Sequence, residues 1–318
     1  MRKSVALIIP NFNGLHLLQR YLPAAIESAK EVDAMVVLSD DASTDGSADW
    51  VERTFSTVEV VRSGQRGGFG EACNRAALDR SCDVLAFLNT DVEVPRLWIR
   101  LLLDAFEDPT VFSVTPGIRI PSRPEANHGF TYFLFANGLL NPITPCLVSA
   151  VKTPRQTAPV GYGVGAATLV DAGKFQLLGG FDPQLSPYYF EDADLGFSAW
   201  SMGWPSLCNP GVEVWHEHEG TIRRLEEQRS VRAVVFRNQL LFTWKHITSP
   251  SLILRHLVWL IRYVPSHVYH GRWPEIRGMW MAFGRMPTIL AHRSHDAKLN
   301  DREVMARARA SEFRRLTE

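Results

Sequence analysis

The chain opens on an unbroken apolar run. Val5, Ala6, Leu7, Ile8 and Ile9 follow one another and stop at Pro10. Such a run predicts a strand over 4–9 buried on both faces. Residues 10–14 (Pro-Asn-Phe-Asn-Gly) read as a turn, and 15–29 places leucines and alanines at helical spacing. The pattern then repeats. Strands are predicted at 34–38, 58–61 and 84–88. Helices are predicted from Asp45-Gly46-Ser47, where Asp and Ser suit a cap, and over 69–78. Alternation of strand and helix with short connections implies an α/β fold with a mostly parallel sheet covered on both faces. Asn11 and Asn13, Asp40 and Asp41, and Asn89 and Asp91 each follow a strand's carboxyl end. Ligands of open α/β sheets bind outside those ends.

Further along, residues 129–151 carry no charge over 23 positions, enough to span a bilayer. Asn137, Asn141, Pro142, Pro145 and two glycines interrupt the segment, so a buried or acceptor-facing insertion is expected instead. Residues 251–264 are apolar but only 14 long and contain Arg255, His256 and Arg262. They suit a core helix or an interfacial amphipathic one, with Trp259, Tyr263, Trp273 and Trp280 as core or interfacial aromatics. The last 25 or so residues resemble a solvated helix. Arg2 and Lys3 before the first apolar run mimic a signal peptide. The run is short and lacks a small-residue cleavage site, so a strand and a cytoplasmic protein are expected. The four cysteines form no C-x-x-C pair, which argues against structural zinc and for reduced thiols.

With 318 residues, 46% hydrophobic and 21% charged, the chain is globular and long enough for two domains or one with an appendage. Its 34 basic and 34 acidic side chains cancel, which argues against a nucleic-acid partner. The balance is uneven: residues 1–220 hold 16 basic and 26 acidic side chains, residues 221–318 hold 18 and 8. Two parts are therefore expected, a catalytic body over 1–245 and a basic, hydrophobic helical segment over 246–318. That segment either meets an anionic membrane surface or neutralises the acidic body.

Several motifs bear on chemistry. Asn89-Thr90-Asp91 follows an apolar strand and offers an oxygen ligand for Mg2+ or Mn2+, ions that bind through one or two carboxylates plus substrate phosphates. Taken alone, the same residues also suit a turn. Glu191-Asp192-Ala193-Asp194, flanked by Tyr188, Tyr189, Phe190, Leu195 and Phe197, would raise a carboxyl pKa through like charge and desolvation. Alternatively it is a helix N-terminus whose acids suit the dipole. Val212 to His218 is a strand with two histidines that lacks the H-E-x-x-H spacing of zinc proteases. The glycines at 67–70 and 161–165 do not form G-x-G-x-x-G after the first strand, which disfavours a dehydrogenase.

Five segments in order carry a resemblance: residues 9–14, 40–47, 68–74, 87–92, and 179–182 with 190–195. Over about residues 4–245 the chain resembles the family-2 glycosyltransferases, which have the GT-A fold. The resemblance implies an inverting transfer from a nucleotide-diphospho-sugar, with Mg2+ or Mn2+. It implies that Asp40 accepts a hydrogen bond from the nucleobase, in a pocket lined by Pro10, Asn11 and Asn13, unless Asp40 only caps a helix. Asn74, Asn89 and Thr90 would lie by the donor, though Asn74 suits a brace equally. Arg66 would reach a phosphate or simply be a surface arginine. Asp91 would bind the metal, completed by His216 or by His218, and Asp192 would be the general base. The implied donors are dTDP-rhamnose or a UDP-sugar. The implied acceptor is a cell-envelope glycan or a lipid-linked molecule, met by a protein peripheral at the inner face of the membrane. A nucleotidyltransferase would want a basic loop after the first strand, yet residues 10–18 hold no Lys or Arg. A catalytically silent scaffold is a further alternative, against which the intact Asp91 and Asp192 speak.

Overall fold

A computed structural model describes residues 3–144, 156–217, 228–293 and 296–309. The N-terminal half follows the predicted alternation: β1 (Val5–Asn11), α1 (Leu15–Lys30), β2 (Met35–Asp40), α2 (Ser47–Thr54), β3 (Val58–Arg62), α3 (Phe69–Ala77) and β4 (Val84–Leu88). Strands β3, β2, β1 and β4 lie side by side and parallel. Their continuous apolar sequence has a direct cause in side-chain alternation. Leu7, Ile9, Leu38 and Ala86 meet Leu18, Leu22 and Ile26 of α1 on one face. Ala6, Ile8, Val37, Leu85 and Phe87 meet Cys73, Phe175 and Phe181 on the other.

Beyond β4 the sheet becomes mixed. After β5 (Val92–Glu93) and α4 (Trp98–Leu103) come β6 (Ser113–Arg119), then β7 (Tyr132–Ala136) and β8 (Leu139–Ile143), then β9 (Ala158–Val160) and β10 (Ala167–Asp171). Helices α5 (Ala172–Leu177) and α6 (Glu191–Ser201) precede β11 (Ser206–His216). Strand β10 runs antiparallel between β4 and β6, while β11 is parallel to β6 and antiparallel to β5 and β9. The uncharged stretch becomes the hairpin β7–β8 as far as it is described; residues 145–151 lie outside the described residues. Asn137 and Gly138 turn it with φ of 49° and 72°, the two positive values a tight Asn-Gly hairpin demands. Asn137 is exposed, but Gly138 is buried: a Cβ on it would lie 2.2 Å from that of Trp259.

The C-terminal helices are α7 (Gln228–His246), α8 (Pro250–Tyr269), α9 (Trp273–Ala291) and α10 (Asp301–Arg307). Gly278 lets α9 approach α7, since a Cβ there would sit 2.4 Å from the Ala233 carbonyl oxygen. His256 of α8 is a core histidine. Its Nε2 accepts from Trp244 Nε1 at 2.8 Å and its Nδ1 donates to the Gly138 carbonyl at 2.7 Å, as burial keeps the ring neutral. The outer faces of α8 and α9 are open and carry apolar side chains among arginines, with Leu254, Ile261, Trp273 and Trp280 each more than 60% exposed. Among the described residues, no helix is long and apolar enough to cross a membrane.

Candidate active site

A cavity of about 310 Å³ lies at the carboxyl ends of β1, β2 and β4 and is closed from the far side by the segment before α6. Its wall includes Pro10, Asn11, Phe12, Asp41, Arg66, Asn89, Thr90, Asp91, Glu191, Asp192 and His216. That volume suits a small organic ligand.

Asp91 and His216 meet because β5 pairs with the end of β11, placing Val92 opposite His216, and Glu217 N donates to the Asp91 carbonyl. His216 Nε2 lies 3.1 Å from Asp91 Oδ1, and both side chains are nearly nine-tenths buried. Among the described residues, no three His, Cys, Asp or Glu side chains converge as a metal cage. One carboxylate and one imidazole facing a cavity fit a divalent ion that takes its other ligands from substrate phosphates. His218 lies outside the described residues.

The acids at the start of α6 behave differently from one another. Asp192 Oδ2 accepts from Gly165 N at 3.2 Å and its Oδ1 from Ala193 N at 2.8 Å. Burial raises its pKa against the pull of these amides. Glu191 is pushed up to about 8 by burial and by the charge of Asp192, and its Oε2 is buried without a hydrogen-bond partner. At Gly165 the tight neighbour is the Phe69 ring, 2.9 Å from where a Cβ would lie, whereas Asp192 Oδ2 would be in ordinary contact at 3.8 Å. Tyr189 and Phe190, at φ of 69° and 77°, turn the chain into α6 through the left-handed region, a costly geometry for residues other than glycine.

The other predicted residues divide. Asn11 is buried, and its Nδ2 donates to Asp40 Oδ1 and Ser47 Oγ, each at 2.8 Å. Asp40 also accepts from Ser43 N at 3.1 Å and is absent from the cavity wall. Its neighbour Asp41 lines the cavity instead, accepting from the amides of Gly67 at 2.9 Å and Gly68 at 2.7 Å. Asn13 also lies off the wall, where its Oδ1 accepts from Thr44 N at 2.8 Å and ties two loops. Asn74 forms a two-way amide pair with Phe181, Nδ2 to carbonyl at 2.7 Å and Oδ1 from amide at 2.9 Å, and so braces the 179–182 turn away from the cavity. Arg66 does face the cavity, with its guanidinium 4.2 Å from the centre of the Phe12 ring, a cation–π stack. Sequence reasoning placed Asp41 only at a strand's carboxyl end, took Glu191 only as a neighbouring charge or a helix-dipole acid, and gave no role to the Phe12 ring. The Asp-Asp doublet was the one signal for Asp41.

A mixed sheet with this strand order, bearing a carboxylate–histidine pair and a helix-borne acid in one cavity, defines a GT-A glycosyltransferase fold. Solved GT-A structures superpose accordingly. A GalNAc-T7 structure with UDP, GalNAc and Mn2+ gives a TM-score of 0.59 at 20% identity, covering 77% of this chain and 48% of that one. The Pyrobaculum calidifontis mannosyltransferase PcManGT with GDP-Man and Mn2+ gives 0.57 at 17%, covering 90% and 76%. The Glycosyl transferase family 2 profile matches residues 6–149. The N-acetylglucosaminyl-diphospho-decaprenol L-rhamnosyltransferase of Mycobacterium tuberculosis is 31% identical over an alignment of 225 positions that covers 64% of this chain and 72% of that protein. The chain belongs to glycosyl transferase family 2, and it is a glycosyltransferase.

Proposed function

We propose that the enzyme moves a sugar, with inversion, from a nucleotide-diphospho-sugar to a hydroxyl of a cell-envelope glycan or lipid-linked acceptor. The observation that carries this reading is that Asp91, His216 and Asp192 share one cavity. Asp91 and His216 would hold Mg2+ or Mn2+ together with the donor's phosphate oxygens, and the ion would neutralise charge on the departing diphosphate. Asp192 takes the proton of the acceptor hydroxyl as its oxygen bonds to the anomeric carbon and the bond to the diphosphate breaks. Of the two adjacent acids, Asp192 has the backbone donors that favour the carboxylate, and Glu191 keeps its proton near neutrality. Arg66 and Phe12 flank the nucleotide, with Asn89 and Thr90 beside it. Asp41 borders the base, while Asp40 and Asn11 hold the loop that forms its pocket.

The mycobacterial relative's name specifies rhamnosyl transfer and a decaprenol-linked molecule, which favours dTDP-rhamnose over a UDP-sugar and a lipid-linked acceptor. The chain would work as a catalytic part over 1–245 and a helical part over 246–318. In the helical part, exposed Leu254, Ile261, Trp273 and Trp280 stand among exposed Arg255, Arg262, Arg272 and Arg277. That composition fits peripheral contact with the anionic inner face of a membrane.

A thermal-shift screen of nucleotide-sugars, with and without Mn2+, followed by product analysis, tests the reading. Native-state binding raises the melting temperature by mass action, so dTDP-rhamnose with Mn2+ should stand out and release dTDP on transfer. Release of pyrophosphate would mean a nucleotidyltransferase. Binding without turnover of any donor would mean a silent scaffold.

A further inference from the structure

Outside the cavity, α7 carries a row of buried polar side chains that reach the segment leading into α6. Lys245 Nζ donates to Asp182 Oδ2 at 2.8 Å and to Asp194 Oδ2 at 2.7 Å. His246 Nε2 meets Asp194 Oδ1 at 2.7 Å, and His292, just past the end of α9, meets Asp182 Oδ2 at 2.9 Å. At the middle of α7, two turns before Lys245, Asn238 is fully buried and its Nδ2 faces the carbonyls of Leu185, Tyr188 and Tyr189 at 2.6, 3.0 and 2.9 Å. Arg237 Nη2 reaches the Ser186 carbonyl at 2.5 Å. Asp182 and Asp194 bracket the stretch that puts Tyr188, Tyr189, Glu191 and Asp192 into the cavity wall. A single ammonium therefore ties both ends of that stretch, and an amide holds its strained middle.

We propose that Lys245 and Asn238 are positioning residues for Asp192, fixing the segment from Asp182 to Asp194 so that the carboxylate faces the acceptor. The inference rests on Asp192 being the base. Two carboxylates this deeply buried repel and are poorly solvated; without the ammonium they must separate, admit water or take up protons, and each response loosens the first turn of α6. Consecutive left-handed residues such as Tyr189 and Phe190 persist only where their surroundings over-determine them, and Asn238 supplies that constraint at Tyr189. Apolar side chains would fill the same space at less cost in desolvation. What the polar set adds is a fixed geometry.

The test uses the full chain and three variants: Lys245→Met, Lys245→Arg and Asn238→Ala. Hydrogen–deuterium exchange of peptides covering 183–190 is read beside kcat and donor KM, the latter with whichever donor the wild type turns over. Lys245→Met should raise exchange in 183–190 at least tenfold while strands β1 and β2 stay protected. It should lower kcat by about a hundredfold with donor KM within threefold. Lys245→Arg should recover much of both, since the 290 Å³ cavity beside Lys245 leaves room for a guanidinium. Asn238→Ala leaves every charge in place and should act in the same direction, which keeps the test open if Lys245→Met fails to fold. Unchanged exchange in 183–190, or equal losses in kcat and donor binding, would overturn the proposal. If the wild type transfers no sugar at all, the functional reading fails while the exchange experiment still decides the positioning.

Discussion

Gly68 offers a sharp test of how the cavity is built. It lies at φ 92° and ψ −179° just before α3, a region that only glycine occupies freely. Its amide donates to Asp41 Oδ2 at 2.7 Å, and the next amide, of Phe69, donates to the Pro187 carbonyl at 3.2 Å. A Cβ at position 68 would lie 2.0 Å from the Pro187 carbonyl oxygen and 2.6 Å from its carbonyl carbon and Cα. Ordinary contact needs more than an ångström of extra room, and the obstacle is backbone. In Gly68→Ala, backbone strain, overpacking and a weakened Phe69–Pro187 bond together amount to about 3–6 kcal/mol. At roughly 2 °C per kcal/mol for a chain of this size, the melting temperature should fall by about 6–12 °C. The displaced Pro187–Tyr189 segment is cavity wall, so turnover should fall too. Gly179 is the matched control. Its φ is 79°, but a Cβ there meets nothing within 4 Å, so Gly179→Ala should cost only about 1–2 kcal/mol. Calorimetry of the three proteins decides the matter. Equal melting temperatures for the two variants would refute the claimed contact with Pro187.

Asp192→Asn keeps the shape of the base but cannot accept the proton, so kcat should fall by about 10²–10⁴, while calorimetric binding of nucleotide with Mn2+ holds. Glu191 should ionise near pH 8 and place a second negative charge beside Asp192 and the donor phosphates. The pH profile of kcat/KM should therefore fall on its alkaline side near that value, and Glu191→Gln should abolish that limb. Asp194 would rise on burial alone, but Lys245 and His246 hold it at about 2 against an ordinary 3.8. The folded state then binds fewer protons than the unfolded chain, so stability is full above pH 4. About 2 kcal/mol should be lost as pH falls from about 4 to about 2, and urea midpoints across that window should lose this dependence in Asp194→Asn. Ile261→Glu with Trp280→Glu should cut partition onto anionic vesicles at least tenfold in sedimentation assays and leave the melting temperature unchanged. Undiminished binding would remove these helices from the membrane reading.

The first four strands and three helices were legible because their signals are local. A strand covered on both faces must be apolar along its covered length; β4 is so throughout, and β1 and β2 are so up to the polar residues at their carboxyl ends, Asn11, Ser39 and Asp40. The order of the acidic motifs likewise pointed to Asp91 and Asp192 before any packing was known. The β7–β8 hairpin was missed although Asn137-Gly138 announced it, because the absence of charge drew attention to length rather than to turn geometry. Lys245, the last residue of the expected catalytic body, sits between Asp182 and Asp194, and the helices after it keep an exposed surface of apolar and basic side chains.

By itself, the sequence determined the alternation of elements, the fold class and the chemical kinds of side chain gathered at the strand ends. Tertiary structure alone decided that Asp41 rather than Asp40 borders the cavity, that Asn74 braces a turn, and that one lysine grips both ends of the segment carrying Asp192. The reason is physical. Burial patterns are written along a few adjacent residues, whereas the direction of a side chain past a strand's end, and the field around a buried charge, depend on groups that meet only when distant segments pack.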